Sequence, residues 1–272
     1  SADHYNGQVV WIVGASSGIG EAIALRLAQF SPCLILSARR KELLESVEQK
    51  CRYVNPACEV KILVLDLMEF NQLENKAREA DELFDRKVDI IVLNAGRSQR
   101  AEWTDVEPKV DQECFALNAL GPTQLARCVL KNRGLHPTGD KCENIQFVVV
   151  SSLVAVLPVI LSPSYAAAKA ALTQYFRLLS VDLGEKGVRV SIVFPSHVYA
   201  PNMLKAAFTA ASGEENDEEM GAMRPAQMTA ERAAELISLA AVNELHECTI
   251  ASTWTVLAST YAYTNFPGIF TR

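Results

Sequence analysis

The sequence predicts an α/β fold: a doubly wound parallel β-sheet of about seven strands with helices on both faces, α/β/α in three layers. Three observations predict it. Short apolar runs alternate with helical patterns almost from end to end, which implies repeated strand–helix–strand units with right-handed crossovers. Most of the runs are continuous Val, Ile and Leu rather than alternating, as strands buried on both faces are. The first strand also runs through a glycine turn straight into a helix.

The strands read as Val9–Val13, Cys33–Ser37, Val60–Leu65, Ile90–Leu93, Gln146–Ser151, Val190–Phe194 and Cys248–Ala251. Between them lie helical patterns over Ile19–Phe30, Lys41–Tyr53, Phe70–Asp85, Val110–Asn132, Ser164–Lys186 and Ala230–Asn243. The 272 residues suit a single domain, with a dinucleotide-binding half over about 8–150 and a catalytic and substrate-binding part over about 151–272.

Two stretches break the rhythm. Pro195 to Met228 has no clear period and carries the acidic cluster Glu214-Glu215-Asn216-Asp217-Glu218-Glu219. A solvated surface loop and a lid over a pocket both fit it, and its length favours the lid. Cys248 to Thr271 contains no Asp, Glu, Lys or Arg and holds Trp254, Tyr261, Tyr263, Phe266 and Phe270. A last strand with a packed tail, a pocket wall, a subunit contact and an interfacial membrane contact all fit such a segment.

Composition narrows the function classes. A net charge of -6 and the lack of a basic stripe argue against a nucleic-acid partner. The seven cysteines are scattered and form no C-x-x-C pair, so no metal site is expected and they read as thiols of a reducing compartment. No apolar run reaches the roughly 18 residues that span a bilayer. The chain starts at Ser1 without Met, so a removed leader or anchor is compatible with it.

The glycine turn reads Gly14-Ala15-Ser16-Ser17-Gly18-Ile19-Gly20. Its first glycine permits the tight turn. The others let backbone approach a pyrophosphate and let the helix pack on the sheet. The helix start supplies N–H groups and the positive dipole end for that anion, as in a Rossmann-type fold. About twenty residues further on, such folds choose their cofactor: a carboxylate holds the ribose of NAD, an arginine accommodates the 2′-phosphate of NADP. Here the chain reads Ser37-Ala38-Arg39-Arg40, two guanidiniums and a hydroxyl with no carboxylate. NADP(H) is the expected cofactor.

The catalytic pattern is Tyr165-Ala166-Ala167-Ala168-Lys169. Spacing i, i+4 puts the phenol and the ammonium on one helix face. The ammonium is expected to lower the phenol's pKa toward the working range. Ser152, at the carboxyl end of the preceding strand, reaches the same crevice, and Asn118 on the long helix before it can face the same place.

These pieces together resemble the short-chain dehydrogenase/reductase family. Gly14, Gly18, Ile19 and Gly20, Asp66 after the third strand, Asn94-Ala95-Gly96 after the fourth, Asn118, Ser152, Tyr165 and Lys169 stand in that family's order and spacing. A closer likeness runs to the branch holding the 11-beta-hydroxysteroid dehydrogenases. It is carried by Val9–Ser17, Leu36–Arg40, Ser98-Gln99-Arg100 and Gln227-Met228-Thr229.

The resemblance implies NADPH-linked reduction of a lipophilic carbonyl (steroid, retinoid or xenobiotic), or the reverse alcohol oxidation, at the endoplasmic-reticulum membrane. It implies that Tyr165 gives a proton to the carbonyl oxygen while the nicotinamide gives hydride to the carbon. Lys169 would tune the tyrosine and hold the nicotinamide ribose, Ser152 would polarise the carbonyl, and Asn118 would relay protons through water. Asp66 and Leu67 would meet adenine, and Asn94, Ala95 and Gly96 would frame the adenosine. Ser16 and Ser17 in the turn, and Pro195 and Val198 beyond the sixth strand, complete the expected cofactor contacts. A homodimer or tetramer built on the long helices is expected as well.

The chain departs from the family pattern at Val13, Leu93, Ser196 and Ala200, the last two at the nicotinamide end. Those two departures motivate the alternative function, an NADP(H)-binding sensor or scaffold with weak catalysis.

Overall fold

The structure, a computed structural model, describes residues 4–30, 32–135, 144–199, 205–214, 216, 221–224 and 227–266. The strands are β1 (Val9–Val13), β2 (Cys33–Ser37), β3 (Glu59–Ile62), β4 (Ile90–Leu93), β5 (Ile145–Val150), β6 (Val188–Pro195), β7 (Val198–Tyr199), β8 (Met228–Thr229) and β9 (Glu247–Ile250). The α-helices are α1 (Gly18–Ala28), α2 (Lys41–Val54), α3 (Leu73–Glu82), α4 (Pro108–Phe115), α5 (Gly121–Asn132), α6 (Pro163–Leu183), α7 (Ala230–Val242) and α8 (Trp254–Asn265).

Seven strands form one sheet in the order β3-β2-β1-β4-β5-β6-β9, and every pairing in it is parallel. Chain order reverses between β1 and β4, so the crevice beyond their carboxyl ends is where such a sheet receives a ligand. Alternation along β1 shows why both faces must be apolar. Val9, Trp11 and Val13 pack into the core beneath α4, α5 and α6, while Val10 and Ile12 pack into the core beneath α1, α2 and α7.

Four expectations change. The third strand's regular pairing ends at Ile62, although hydrogen bonds from Leu63 to Leu36 and from Leu65 to Ala38 carry the chain onward to Asp66. The helix expected over Phe70–Asp85 is confined to Leu73–Glu82, its first residues taken up by turns after Asp66. The long helix expected over Val110–Asn132 is interrupted by a π turn at Ala116–Leu120, centred on Asn118. The uncharged stretch begins as expected in the last strand, β9, but its described tail does not pack as a buried element. After β9 it becomes α8, in which only Thr260 is buried while Trp254 is 76% and Tyr261 67% exposed. Phe270 and Ala200 lie outside the described residues.

The segment after β6 is docked rather than free where it is described. Val198–Tyr199 pairs with Met228–Thr229, and Phe208 bridges in parallel to Gln99. Ala210 accepts from the Glu107 N–H at 2.9 Å, and the Ser212 hydroxyl donates to Glu113 Oε1 at 2.7 Å. The stretch 205–212 is therefore a strap tied to the loop after β4 and to α4.

Candidate active site

The glycine turn is locked by packing that only glycine permits. Gly14 has φ +91, and a Cβ there would lie 2.6 Å from the Ala95 backbone. A Cβ on Gly20 would lie 2.0 Å from the Gly14 carbonyl oxygen. The Gly14 carbonyl accepts from Asn94 Nδ2 at 2.9 Å, and the N–H groups of Gly14 and Ala15 donate to the Ser37 carbonyl at 2.7 and 3.0 Å. Helix α1 opens at Ser17, whose side chain caps no N–H of the helix, so the first turn is left for an anion.

Above this turn lies a cleft of about 430 Å³, within the usual size of small-molecule sites. Of the residues expected to hold a dinucleotide, Gly14, Ser16, Ser17, Arg39, Arg40, Asp66, Leu67, Asn94, Ala95 and Gly96 line it. Gly18, Ile19 and Gly20 form the turn and helix start beside it. Its charged lining is Arg39, Arg40, Arg97 and Lys205 against the single carboxylate of Asp66. In a chain of net charge -6, that local excess of cations suits a ligand with several phosphate charges.

Ser37 is a correction. Its hydroxyl is fully buried and accepts from the Trp11 indole N–H at 2.8 Å, so it braces the turn from below and is not offered to a 2′-phosphate. Val198 also turns its side chain into the core, leaving its backbone as the part a ligand can meet. Pro195 ends β6 and is buried. Asp66 Oδ1 accepts from the Met68 N–H at 2.9 Å, which fixes the bend of the chain after Asp66.

The residues expected to be catalytic meet this cleft at Gly96. A Cβ on Gly96 would lie 2.6 Å from Asn118 Oδ1 and 3.4 Å from Lys169 Nζ, so the amide and the ammonium are immediate neighbours of the loop after β4. Both halves of the Asn118 amide are in use. Oδ1 accepts from the Arg97 N–H at 3.0 Å, while Nδ2 donates to the Arg97 carbonyl at 3.1 Å and the Cys114 carbonyl at 3.0 Å. The π turn supplies the local register for this clamp, as such insertions do at functional sites.

Ser152 and Tyr165 are brought together, the serine hydroxyl near enough to the phenol to lower its pKa. Lys169 is 3% exposed, donates to the Val150 carbonyl at 2.9 Å, and lies 5.9 Å from the centre of the Tyr165 ring. Ser151 fixes the helix to the strand end through a 2.8 Å bond to the Thr173 hydroxyl.

The electrostatics differ from the sequence expectation. Burial pushes the Tyr165 phenol up to about 12, the hydrogen bond from Ser152 opposes the rise, and the neighbouring Cys114 thiol adds to it. Burial likewise brings Lys169 down to about 8, with Cys114 opposing. Desolvation outweighs the attraction that an i, i+4 ammonium was expected to exert.

This constellation matches a known pattern. The family model for short chain dehydrogenases matches residues 8–211. The chain belongs to the short chain dehydrogenase family. The enzymes of this family are oxidoreductases that use a nicotinamide cofactor.

The short chain dehydrogenase described here is 34% identical over 264 residues to dehydrogenase/reductase SDR family member 7 of Mus musculus, covering 95% of this chain and 74% of that one. It is 30% identical over 199 residues to 11-beta-hydroxysteroid dehydrogenase-like 2 of Arabidopsis thaliana, covering 72% of this chain and 61% of that one. Among solved structures, an alcohol dehydrogenase from the archaeon Thermococcus sibiricus, complexed with 5-hydroxy-NADP, superposes with a TM-score of 0.74 at 22% identity, over 92% of this chain and 98% of that one. A short-chain dehydrogenase from Streptomyces avermitilis gives 0.76 at 23%, over 96% and 93%. At those identities the two structures attest to the shared fold.

Sequence reasoning missed two residues of this dehydrogenase's site. Arg97 lines the cleft, donates to the Ala206 carbonyl at 2.6 Å and stacks over the Phe208 ring at 4.1 Å. Cys114 sits beneath Asn118, taking a 3.4 Å contact from its amide on Sγ. An arginine directly after Asn94-Ala95-Gly96 is a visible sequence signal for the first; a lone apolar-face cysteine gives none for the second.

Proposed function

We propose that the chain is an NADPH-dependent oxidoreductase that reduces a lipophilic ketone or aldehyde, of steroid, retinoid or xenobiotic type, to the alcohol, or runs the reverse. The observation that carries this reading is the pairing of Ser152 with Tyr165 beside buried Lys169, opening at Gly96 onto a cleft whose charged lining is mostly cationic.

The cleft fits a dinucleotide. The glycine turn and the open start of α1 suit a pyrophosphate, and exposed Arg39 and Arg40 at the end of β2 suit a 2′-phosphate. Arg97 faces them with its pKa lowered, by burial first and then by the charge of Arg39, and an anion between the two would relieve that repulsion. When bound, the nicotinamide supplies hydride to the carbonyl carbon.

The chain's own residues do the rest. Tyr165, kept protonated by its buried surroundings, donates its proton to the carbonyl oxygen. Ser152 donates a hydrogen bond to the same oxygen and stabilises the charge developing there. Lys169, in its charged form, holds the ribose and favours transient phenolate. Asn118 clamps the Gly96–Arg97 backbone and closes the floor behind Lys169, on the path by which protons return to the site.

The steroid named for one relative supports the lipophilic substrate class. The partners in this reading are that small substrate and further copies of the chain. Tyr175, Leu178 and Val181 on α6 are exposed apolar residues suited to a dimer contact. The reading places the enzyme at the endoplasmic-reticulum membrane, supported by the uncharged, aromatic surface of α8. Among the described residues, no helix is long and apolar enough to cross a membrane.

Replacing Tyr165 with Phe tests the chemistry. Turnover of NADPH with a carbonyl substrate should fall by about 10²–10⁴-fold while NADPH binding persists. Unchanged turnover in Tyr165→Phe contradicts the proposed acid. One feature favours the sensor or scaffold reading: Ser196, where the family pattern has glycine, is buried with its hydroxyl lacking a hydrogen-bond partner among the described residues. NADPH bound but never consumed is the outcome that reading expects.

A further inference from the structure

The segment Ser98–Ala101, in the loop after β4, contacts both the start of α6 and the strap, and its centre is Gln99. This side chain is fully buried, an expensive place for an amide unless each group is paired. Its Oε1 accepts from the Ser164 N–H at 2.8 Å and from the Tyr165 N–H at 3.3 Å. Its Nε2 donates to the Ser164 hydroxyl at 2.8 Å, and its carbonyl accepts from the Ser162 hydroxyl at 3.0 Å.

Those bonds do an N-cap's work from outside the helix. The N-cap of α6 is Ser162, whose side chain caps no N–H of the helix and donates instead to the Gln99 carbonyl. The N–H groups of Ser164 and Tyr165 are the second and third of the helix, the ones an N-cap side chain normally satisfies. Gln99 takes both.

The backbone on either side of Gln99 is tied to the strap. The Arg100 N–H donates to the Phe208 carbonyl and the Phe208 N–H to the Ser98 carbonyl, each at 2.8 Å, a parallel bridge centred on Gln99. Arg97, two residues earlier, stacks on the Phe208 ring.

We infer that Gln99 is a positioning residue: it holds the first turn of α6, and with it Tyr165, at a height set jointly by the loop after β4 and by the strap at Phe208. The inference rests on the proposed carbonyl chemistry for its consequence in turnover, but not for the coupling itself. A misplacement of about 1 Å at the reacting groups costs on the order of 10²-fold in rate.

The test compares Gln99→Met, which keeps the length and removes every side-chain bond, with Gln99→Glu, which keeps both acceptor bonds to the helix. The full chain is assayed with NADPH and phenanthrenequinone as the carbonyl probe. Rates are taken per NADPH-binding site. The methionine variant should lose about 10²-fold in kcat with NADPH affinity unchanged, and the glutamate variant should recover most of the loss. A merely structural role would lower the number of binding sites and leave kcat per site intact. That result, or a glutamate variant as slow as the methionine one, overturns the inference.

Amide hydrogen exchange separates this outcome from a failure of the functional reading. If the parent turns over no carbonyl, the methionine variant should still exchange faster at 162–169 and at 205–212 than elsewhere, with the parent and the glutamate variant protected. Uniform or unchanged exchange overturns the coupling. Should the methionine variant not fold, Gln99→Asn, one methylene too short to reach, takes its place in both measurements with the same expected and overturning results.

Discussion

Lys169 sits where an ammonium gives up almost all of its hydration, and the Val150 carbonyl replaces only part of it. Its pKa therefore falls to about 8, while burial holds the Tyr165 phenol up near 12. The two groups titrate in an order that matters: as pH rises, the lysine loses its charge well before the tyrosine loses its proton. The high-pH limb of kcat/KM for NADPH, which reports the free enzyme, is thus expected near 8 and belongs to Lys169. A profile flat to pH 10, or a limb unmoved in Lys169→Arg, would contradict that assignment. Periodicity in the sequence brings Ser152, Tyr165 and Lys169 to one crevice and lets Asn118 face it, while their reading as one set comes from the family resemblance. Their ionisation is not legible, because it depends on how much water the folded chain excludes.

At the scale of elements, the glycine turn is the most legible feature. Two of its glycines answer a steric demand, Gly14 against Ala95 and Gly20 against the Gly14 carbonyl, and Gly18 answers a conformational one with φ +60. The π turn at Asn118 leaves no mark, because inserting one residue into a helical pattern barely disturbs an apolar stripe. Ser37 misleads for a related reason. A serine at a strand end reads as a ligand group, and only the three-dimensional position of Trp11 shows that its hydroxyl is already engaged.

Helix α8 is the element whose surroundings the sequence leaves open. Its outward stripe of Trp254, Leu257 and Tyr261 recurs at i, i+3 and i+7 with no charge to oppose burial in a bilayer interface. Flotation with phosphatidylcholine vesicles should carry the chain upward, and the double change Trp254→Ser and Tyr261→Ser should reduce the bound fraction severalfold. Chain left entirely in the soluble fraction with such vesicles would remove the membrane contact from the proposal. The net charge of -6 adds a second expectation: anionic vesicles should bind the chain less well than neutral ones.

At the scale of the molecule, the sheet order β3-β2-β1-β4-β5-β6-β9 explains why residues scattered from Gly14 to Lys169 converge. The reversal between β1 and β4 opens a crevice, and the ends of β2, β4 and β5 deliver Arg39 and Arg40, Asn94 to Gly96, and Ser152 to it. This much follows from strand–helix alternation, which is why the architecture is readable without coordinates. The strap is not readable in the same way: its docking depends on isolated bonds to Ser98, Arg100, Glu107 and Glu113 that no period announces.

The most direct test of the whole account is to measure NADPH against NADH binding to the purified chain, then to add a mixed pool of steroid, retinoid and small aromatic carbonyls to the same cuvette. The account predicts that NADPH binds more tightly than NADH, because Arg39 and Arg40 meet its 2′-phosphate, and that it is then consumed. NADH bound equally well would contradict the role given to the two arginines. NADPH bound and left unconsumed by every carbonyl would contradict the reductase.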